Sequence, residues 1–230
     1  MGSKTQNRVI RIRENPHVTY EQFGAWGDGI HDDTIAIHDA HEYANEHNLP
    51  VVVRNGATYL IETAETANVK TDCVWDGAIF YIDDRTASAK QSPRCPVFTV
   101  HASHDEYDGD RRLMTQLIKT NDRHTPYKNA TLYMQDHSQV HFRRFGECAN
   151  PGVAATVVVS TNEDGYIQQL IEPKLNRVDN FIVYPGEEED LLLYGGTFVT
   201  IANDELPYYK YYQRGIKITR SNVIVELLGH

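Results

Sequence analysis

This 230-residue chain is poor in several things at once. Its three cysteines, Cys73, Cys95 and Cys148, are an odd number and none lies in a Cys-x-x-Cys spacing. Neither a disulfide framework nor a zinc knuckle is indicated, and buried thiols are the remaining reading. Positive charge is short: 22 Lys and Arg stand against 32 Asp and Glu, a net charge of -10 with His neutral. The sequence-independent attraction to phosphate backbones that basic proteins use is missing, so no nucleic-acid partner is expected. No apolar run approaches the ~18 residues of a membrane span, and the first residues, Met1 to Arg13, lack the apolar core of a signal peptide. A membrane partner is not expected, and the compartment is left open. The chain also has no Gly-x-Ser-x-Gly elbow and no phosphate loop, so serine-hydrolase and nucleotide chemistry have no support.

What is present is the material of one ordinary domain, 40% hydrophobic and 23% charged, with its aliphatic residues in short runs and with 15 Gly and 14 Tyr. Between Asp32 and Asn48 the apolar period is helical: Ala36, Ile37, Ala40, Tyr43, Ala44 and His47 share one face, and His38, His41, Glu42 and Asn45 fall on the flank or opposite side. Asp32, Asp33 and Thr34 supply oxygens for the free N–H groups of the first turn, and Asn48 and Pro50 mark the end. The spacing predicts one helix over about 33–47. After Pro50 short extended segments follow, near 51–53, 58–61, 78–82, 97–100, 132–134, 140–142, 155–159, 167–171, 181–184, 191–193, 197–201, 216–218 and 223–225. Two corners suit strands that bend from one sheet to another: the polar Arg220-Ser221-Asn222 turn, where Asn tolerates a left-handed conformation, and the pair Gly195-Gly196.

The specific signal is Phe23-Gly24-Ala25-Trp26-Gly27-Asp28-Gly29-Ile30-His31-Asp32-Asp33-Thr34, then the helix, then Pro50-Val51-Val52-Val53 and Gly56-Ala57-Thr58-Tyr59-Leu60-Ile61. This arrangement resembles the N-terminal cap of the pectate-lyase-like right-handed parallel β-helix superfamily, which includes polygalacturonases and phage tailspikes. Arg54 and Asn55 depart from the family, which usually has a Pro before the Gly of the second strand. The resemblance implies an all-β fold, a right-handed β-helix solenoid over 19–230 with an N-terminal arm (1–18), a capping α-helix over about 33–47 and first rungs from 51. It implies that Gly24, Gly27, Asp28, Gly29, Asp32, Asp33 and Thr34 form a structural cap rather than a catalytic set.

The resemblance also implies a polysaccharide partner and an extracellular or virion-associated setting. Two functions stay open: part of a polysaccharide lyase or glycoside hydrolase, or a tailspike-like or adhesive segment without its own catalysis. Ca²⁺ is implied only for a lyase; otherwise no cofactor or metal is expected. The catalytic residues are unknown, because the Gly-His-Gly and Arg-Ile-Lys sets of polygalacturonases are not found here. Asp83, Asp84 and Arg85, the run Glu187 to Asp190, and His101, His104, Asp105, Asp108 and Asp110 all read as solvated turns and loops, and His38 and His41 as surface residues. The best glycan-contacting surface is expected at Tyr208, Tyr209, Tyr211, Tyr212 and Arg214, where flat aromatics adjoin cations. Apolar alternation from Ile216 to Leu227 runs nearly to His230. The coil is therefore expected to be cut in mid-course, to be catalytically silent by itself, and to self-associate as a homo-oligomer through its exposed last strands.

Overall fold

The computed structural model describes residues 4–146, 152–172, 174–203 and 214–230. The chain divides into two compact units, one made of Met1–Ser103 with Glu188–His230 and the other of His104–Glu187. The sequence pattern had suggested a single body over 19–230; no composition shift marks the inserted unit.

The first unit contains α1 (Lys4–Glu14), a 3₁₀ turn (Tyr20–Phe23), β1 (Asp28–Asp32), α2 (Thr34–His47), β2 (Val51–Val52), β3 (Thr58–Ile61), β4 (Ala67–Val69), β5 (Cys73–Val74), β6 (Ile79–Asp83), α3 (Ala87–Gln91) and β7 (Phe98–Val100). The second unit holds β8 (Tyr107–Asp108), α4 (Arg111–Thr120), β9 (Ala130–Phe142), β10 (Val153–Ser160) and β11 (Asn180–Pro185). The chain then re-enters the first unit with β12 (Leu191–Tyr194), β13 (Thr197–Ile201), β14 (Ile216–Ile218) and β15 (Val223–Glu226).

Three parallel sheets build the first unit, in the orders β1-β3-β6-β13, β15-β12-β5-β2 and β14-β7-β4. Their inward side chains stack in register: Tyr59, Phe80 and Phe198 from the first sheet, Cys73 and Leu193 from the second, Phe98 and Ile216 from the third. The rings of Tyr20, Trp75, Phe80, Phe98 and Phe198 meet at centroid distances of 4.8–6.4 Å, in tilted and edge-to-face pairs and one stack. Such contacts add to the burial of aromatic area that dominates core energetics. Helix α2 closes one end of this core with Ile37, Ala40, His41 and Ala44. Helix α1 lies on the outside of the second sheet, where Val9 and Ile12 pack on Val52, Val74, Leu192 and Tyr194. The left-handed corners are at Asn222 (φ 53°) and at Gly195 and Gly196 (φ 76° and 86°).

The second unit is an antiparallel sheet in the order β10-β9-β11-β8. Its core is Leu132, Met134, Val157, Val159, Phe181 and Val183, with Met114 of α4. The expected all-β solenoid is therefore corrected. Among the described residues four α-helices and an antiparallel sheet accompany the parallel sheets, so the content is mixed α/β. The segment 167–171 is not a strand either; Ile167 makes only an isolated bridge to Thr161.

One buried carboxylate organises the second unit. Asp136 accepts bonds from the Ser138 N–H (2.9 Å), the Ser138 hydroxyl (2.5 Å), Gln139 Nε2 (2.8 Å) and the Asn176 N–H (2.8 Å). Burial opposes its charge, but these donors win and hold the carboxyl well below its usual range. The stabilisation is therefore fully present above the unfolded value near ~4 and is lost as pH falls below it. Asp136→Asn is expected to cost ~1–3 kcal/mol at neutral pH. It should also flatten the acid limb, read as lost hydrogen-exchange protection at Ser138 and Asn176.

Candidate functional site

The Phe23–Thr34 turn places three carboxylates close together in sequence, and each is committed to local donors. Asp33 is buried and accepts from the N–H groups of Trp26 (2.6 Å), Gly27 (3.2 Å) and Leu60 (3.4 Å). Burial pushes its carboxyl up, against the pull of these donors. It stands at the N-cap position of α2 but makes no side-chain bond to the helix. Asp32 takes that role, accepting from the Thr34 N–H (3.0 Å) and the Glu62 N–H (3.2 Å) on one oxygen and from the Thr63 hydroxyl (2.8 Å) on the other. Burial opposes the Asp32 charge, and the bonds from Thr34, Thr63 and Glu62 bring its pKa below the ordinary value. Asp28 accepts from the N–H groups of His31 (3.1 Å) and Ile30 (2.9 Å), which lower it to about 2, and its second oxygen meets His31 Nδ1 at 2.8 Å. Gly27, at φ 61°, is a strained place for a side chain: a Cβ there would stand 2.7 Å from Arg54 Nη2 and 3.1 Å from Ala57 Cβ, so the guanidinium would have to shift.

What this turn leaves exposed is a flat aromatic surface. Between β1 and β3 the register runs Asp28↔Thr58 and then Asp32↔Leu60, so three residues, Gly29 to His31, oppose Tyr59 alone. A bulge re-aims side chains and spoils an edge for further pairing. Here it throws Ile30 and His31 outward. The His31 ring stacks on Trp26, centroids 4.5 Å apart and planes 21° from parallel, yet Trp26 remains 61% exposed. Both ends of the Trp26 peptide are held, its N–H by Asp33 and its carbonyl by Arg54 Nη2 (2.9 Å). Arg54 in turn faces Glu21, with Nε–Oε1 at 3.5 Å. A preorganised indole with a carboxylate, an imidazole and a guanidinium around it can hold a ring that has one apolar face and a hydroxylated edge. Trp26 lies in the turn quoted for the cap motif. The sequence-visible signal was a tryptophan among glycines and acids, which periodicity does not interpret.

The other expected site residues are scattered. Tyr208, Tyr209, Tyr211 and Tyr212 lie outside the described residues. Arg214 is not a surface cation: its side chain is 1% exposed, pairs with Asp84 (3.3 Å) and donates to the carbonyls of Asp83 and Thr63, each at 2.9 Å. Asp83 and Asp84 are accordingly buried rather than solvated, and Asp83 also pairs with Arg85. His41 is fully buried, its Nε2 2.9 Å from the Tyr20 hydroxyl, and burial depresses its pKa to about 3. His38 stays outside, against Asp39 and Glu65. His101 contacts Asn68, Asp110 caps α4, and Glu187 is buried while Glu188 to Asp190 are exposed. Among the described residues no group of three or more His, Cys, Asp or Glu could hold a metal ion. Cys73 is buried, Cys95 is partly exposed and Cys148 lies outside the described residues. No family model matches this chain, and no curated protein matches it either.

Proposed function

We propose that this is a carbohydrate-directed protein that holds a neutral sugar ring against the indole of Trp26. The observation that carries this reading is the exposed tryptophan held rigid by the His31 stack and by hydrogen bonds at both ends of its peptide. A rigid aromatic meets a ligand at little entropic cost. The resemblance of the Phe23–Ile61 segment to caps of polysaccharide-acting proteins supports the same class. The Asp28 carboxylate, ionised at any pH above about 2, and the net charge of -10 favour neutral over acidic sugars. Binding rather than bond cleavage is proposed, since the carboxylates of this turn are all engaged with backbone and side-chain donors.

The test is affinity electrophoresis in gels cast with neutral or with acidic polysaccharides, using wild type and Trp26→Ala. A neutral gel is expected to retard the wild type, and the variant should lose about tenfold or more in affinity, the loss of ~1.4 kcal/mol of stacking. The variant should unfold within ~0.5 kcal/mol of wild type, as exposed substitutions do. Equal retardation of both proteins, or none of the wild type in any gel, defeats the proposal.

A further inference from the structure

The first unit encloses a small polar pocket of about 200 Å³. One wall is Lys70-Thr71-Asp72, the connection between β4 and β5; another is Glu189 and Asp190, which lead into β12; Asn48 and Pro50 close the side next to the end of α2. The corner at Glu189 and Asp190 is held by two arginines. Arg220 Nη2 donates to the Glu189 carbonyl (2.6 Å) and Arg8 Nη2 to the Asp190 carbonyl (2.7 Å). Arg8 is itself oriented by both carboxylate oxygens of Asp72, at 2.8 and 2.9 Å, and Asp72 also accepts from the Leu192 N–H (2.9 Å). Walls fixed in this way cost a ligand little in ordering.

Thr71 sets this pocket apart from an ordinary solvated crevice. It is 9% exposed, and its hydroxyl has no hydrogen-bond partner among the described residues. Buried polar groups seldom stay unpaired, so this one calls for a partner from outside the chain. Around it the Lys70 ammonium and the Asn48 amide offer donors, and the Glu189 and Asp190 carboxylates offer acceptors. Among the described residues none of these four groups is hydrogen-bonded or ion-paired through its side chain. The lining carries three cations, Arg8, Lys70 and Arg220, against three carboxylates, Asp72, Glu189 and Asp190, so its charge balances. A simple anion meets the carboxylates, and a simple cation meets the lysine and arginines. Hydroxyl groups both donate and accept, and so suit every open position. The volume lies below the ~300 Å³ at which sites for drug-sized ligands begin, which leaves room for one ring rather than a chain. We propose that this pocket takes a single neutral sugar residue, with the Thr71 hydroxyl as its buried contact. No residue of the Phe23–Thr34 turn lines it, and the ligand is chosen by the pocket's own donors and acceptors, independently of the Trp26 surface.

Titration of the full chain with glucose, galactose, mannose and N-acetylglucosamine, followed in amide NMR spectra, tests this. At least one sugar is expected to shift the amides of Lys70, Thr71, Asp72, Asp190 and Leu191. The Kd should be on the order of 1 mM, the scale that ligand efficiency sets for so few atoms. Thr71→Val keeps the side-chain shape and removes only the unpaired hydroxyl, so it should unfold no earlier than wild type while binding that sugar about tenfold more weakly. Trp26→Ala should keep these shifts, and Thr71→Val should keep the retardation in neutral gels, so each sugar reading can fail without the other. Inorganic phosphate and glycine serve as the anionic and zwitterionic arms. No shift with any of these sugars, equal affinity in Thr71→Val, or a stronger response to phosphate or glycine than to every sugar would each overturn the proposal.

Discussion

Replacing Asp84 with Ala is expected to cost ~3–5 kcal/mol, the range for a buried ion pair stripped of one partner. The Arg214 guanidinium stays where its backbone bonds to Asp83 and Thr63 hold it, now without a counter-charge in contact. Asp83, which already pairs with Arg85, offsets part of the loss, so the lower end of the range is expected. For a body of this size the apparent midpoint should fall by ~6–12 °C. The double replacement Asp84→Leu with Arg214→Met should recover most of this, because two apolar side chains of similar volume need no desolvated charges. A double variant as unstable as Asp84→Ala alone would show that the guanidinium bonds to the two carbonyls, rather than the ion pair, carry the stability.

Asp33→Ala is expected to be nearly as damaging, at ~3 kcal/mol, because it abandons the N–H groups of Trp26, Gly27 and Leu60 together. Asp33→Asn keeps one accepting oxygen and should lose about half as much. Asp32→Ala, which removes the bonds to the start of α2, should cost ~1–2 kcal/mol, the scale of a lost helix cap. The Asp33 variants should also weaken sugar retardation, since the Trp26 peptide loses one of its two anchors. Chemical denaturation of the three variants, each also run in the polysaccharide gels, checks the order. An Asp33→Ala protein as stable as wild type would mean that water satisfies the turn.

Much of the strand content was legible, and the reasons for the misses are physical. Long apolar runs such as Leu191–Tyr194 announce themselves, whereas β4 and β5 are two or three residues long and show no period. In α2 the buried stripe is Ile37, Ala40, His41 and Ala44, a clean helical spacing. Apolarity alone had put Tyr43 and His47 on that face and His41 off it. Instead Tyr43 stacks on His47 outside, at 3.9 Å and 21°, and His41 is admitted to the core by the Tyr20 hydroxyl. Such an exchange depends on a partner 21 residues away. Helix α1 buries only Val9 and Ile12, a stripe too short to stand out, whereas α4 packs Met114, Leu117 and Ile118 on its sheet at a helical spacing that is visible in the sequence. The Trp26 and His31 pair needed the bulge, a register irregularity set by β3. Arg214 looked like a surface cation because its counter-ion is 130 positions distant.

Helix α1 carries a consequence for how the chain reaches this state. Its anchors are Asp72, paired with Arg8 at 2.8 Å, the Asp190 carbonyl, and Glu226, which accepts from the Thr5 hydroxyl at 2.7 Å. The last lies 221 positions downstream. A segment synthesised well before its partners therefore finds its complete seat late, once β12 and β15 have joined the second sheet. Closing so long a loop is slow compared with local pairing. Until then Val9 and Ile12 have only Val52 and Val74 to cover, and the rest of their seat, Leu192, Tyr194 and Ile224, is still missing. On a ribosome making ~5–20 residues per second, that interval lasts ~10 s or more.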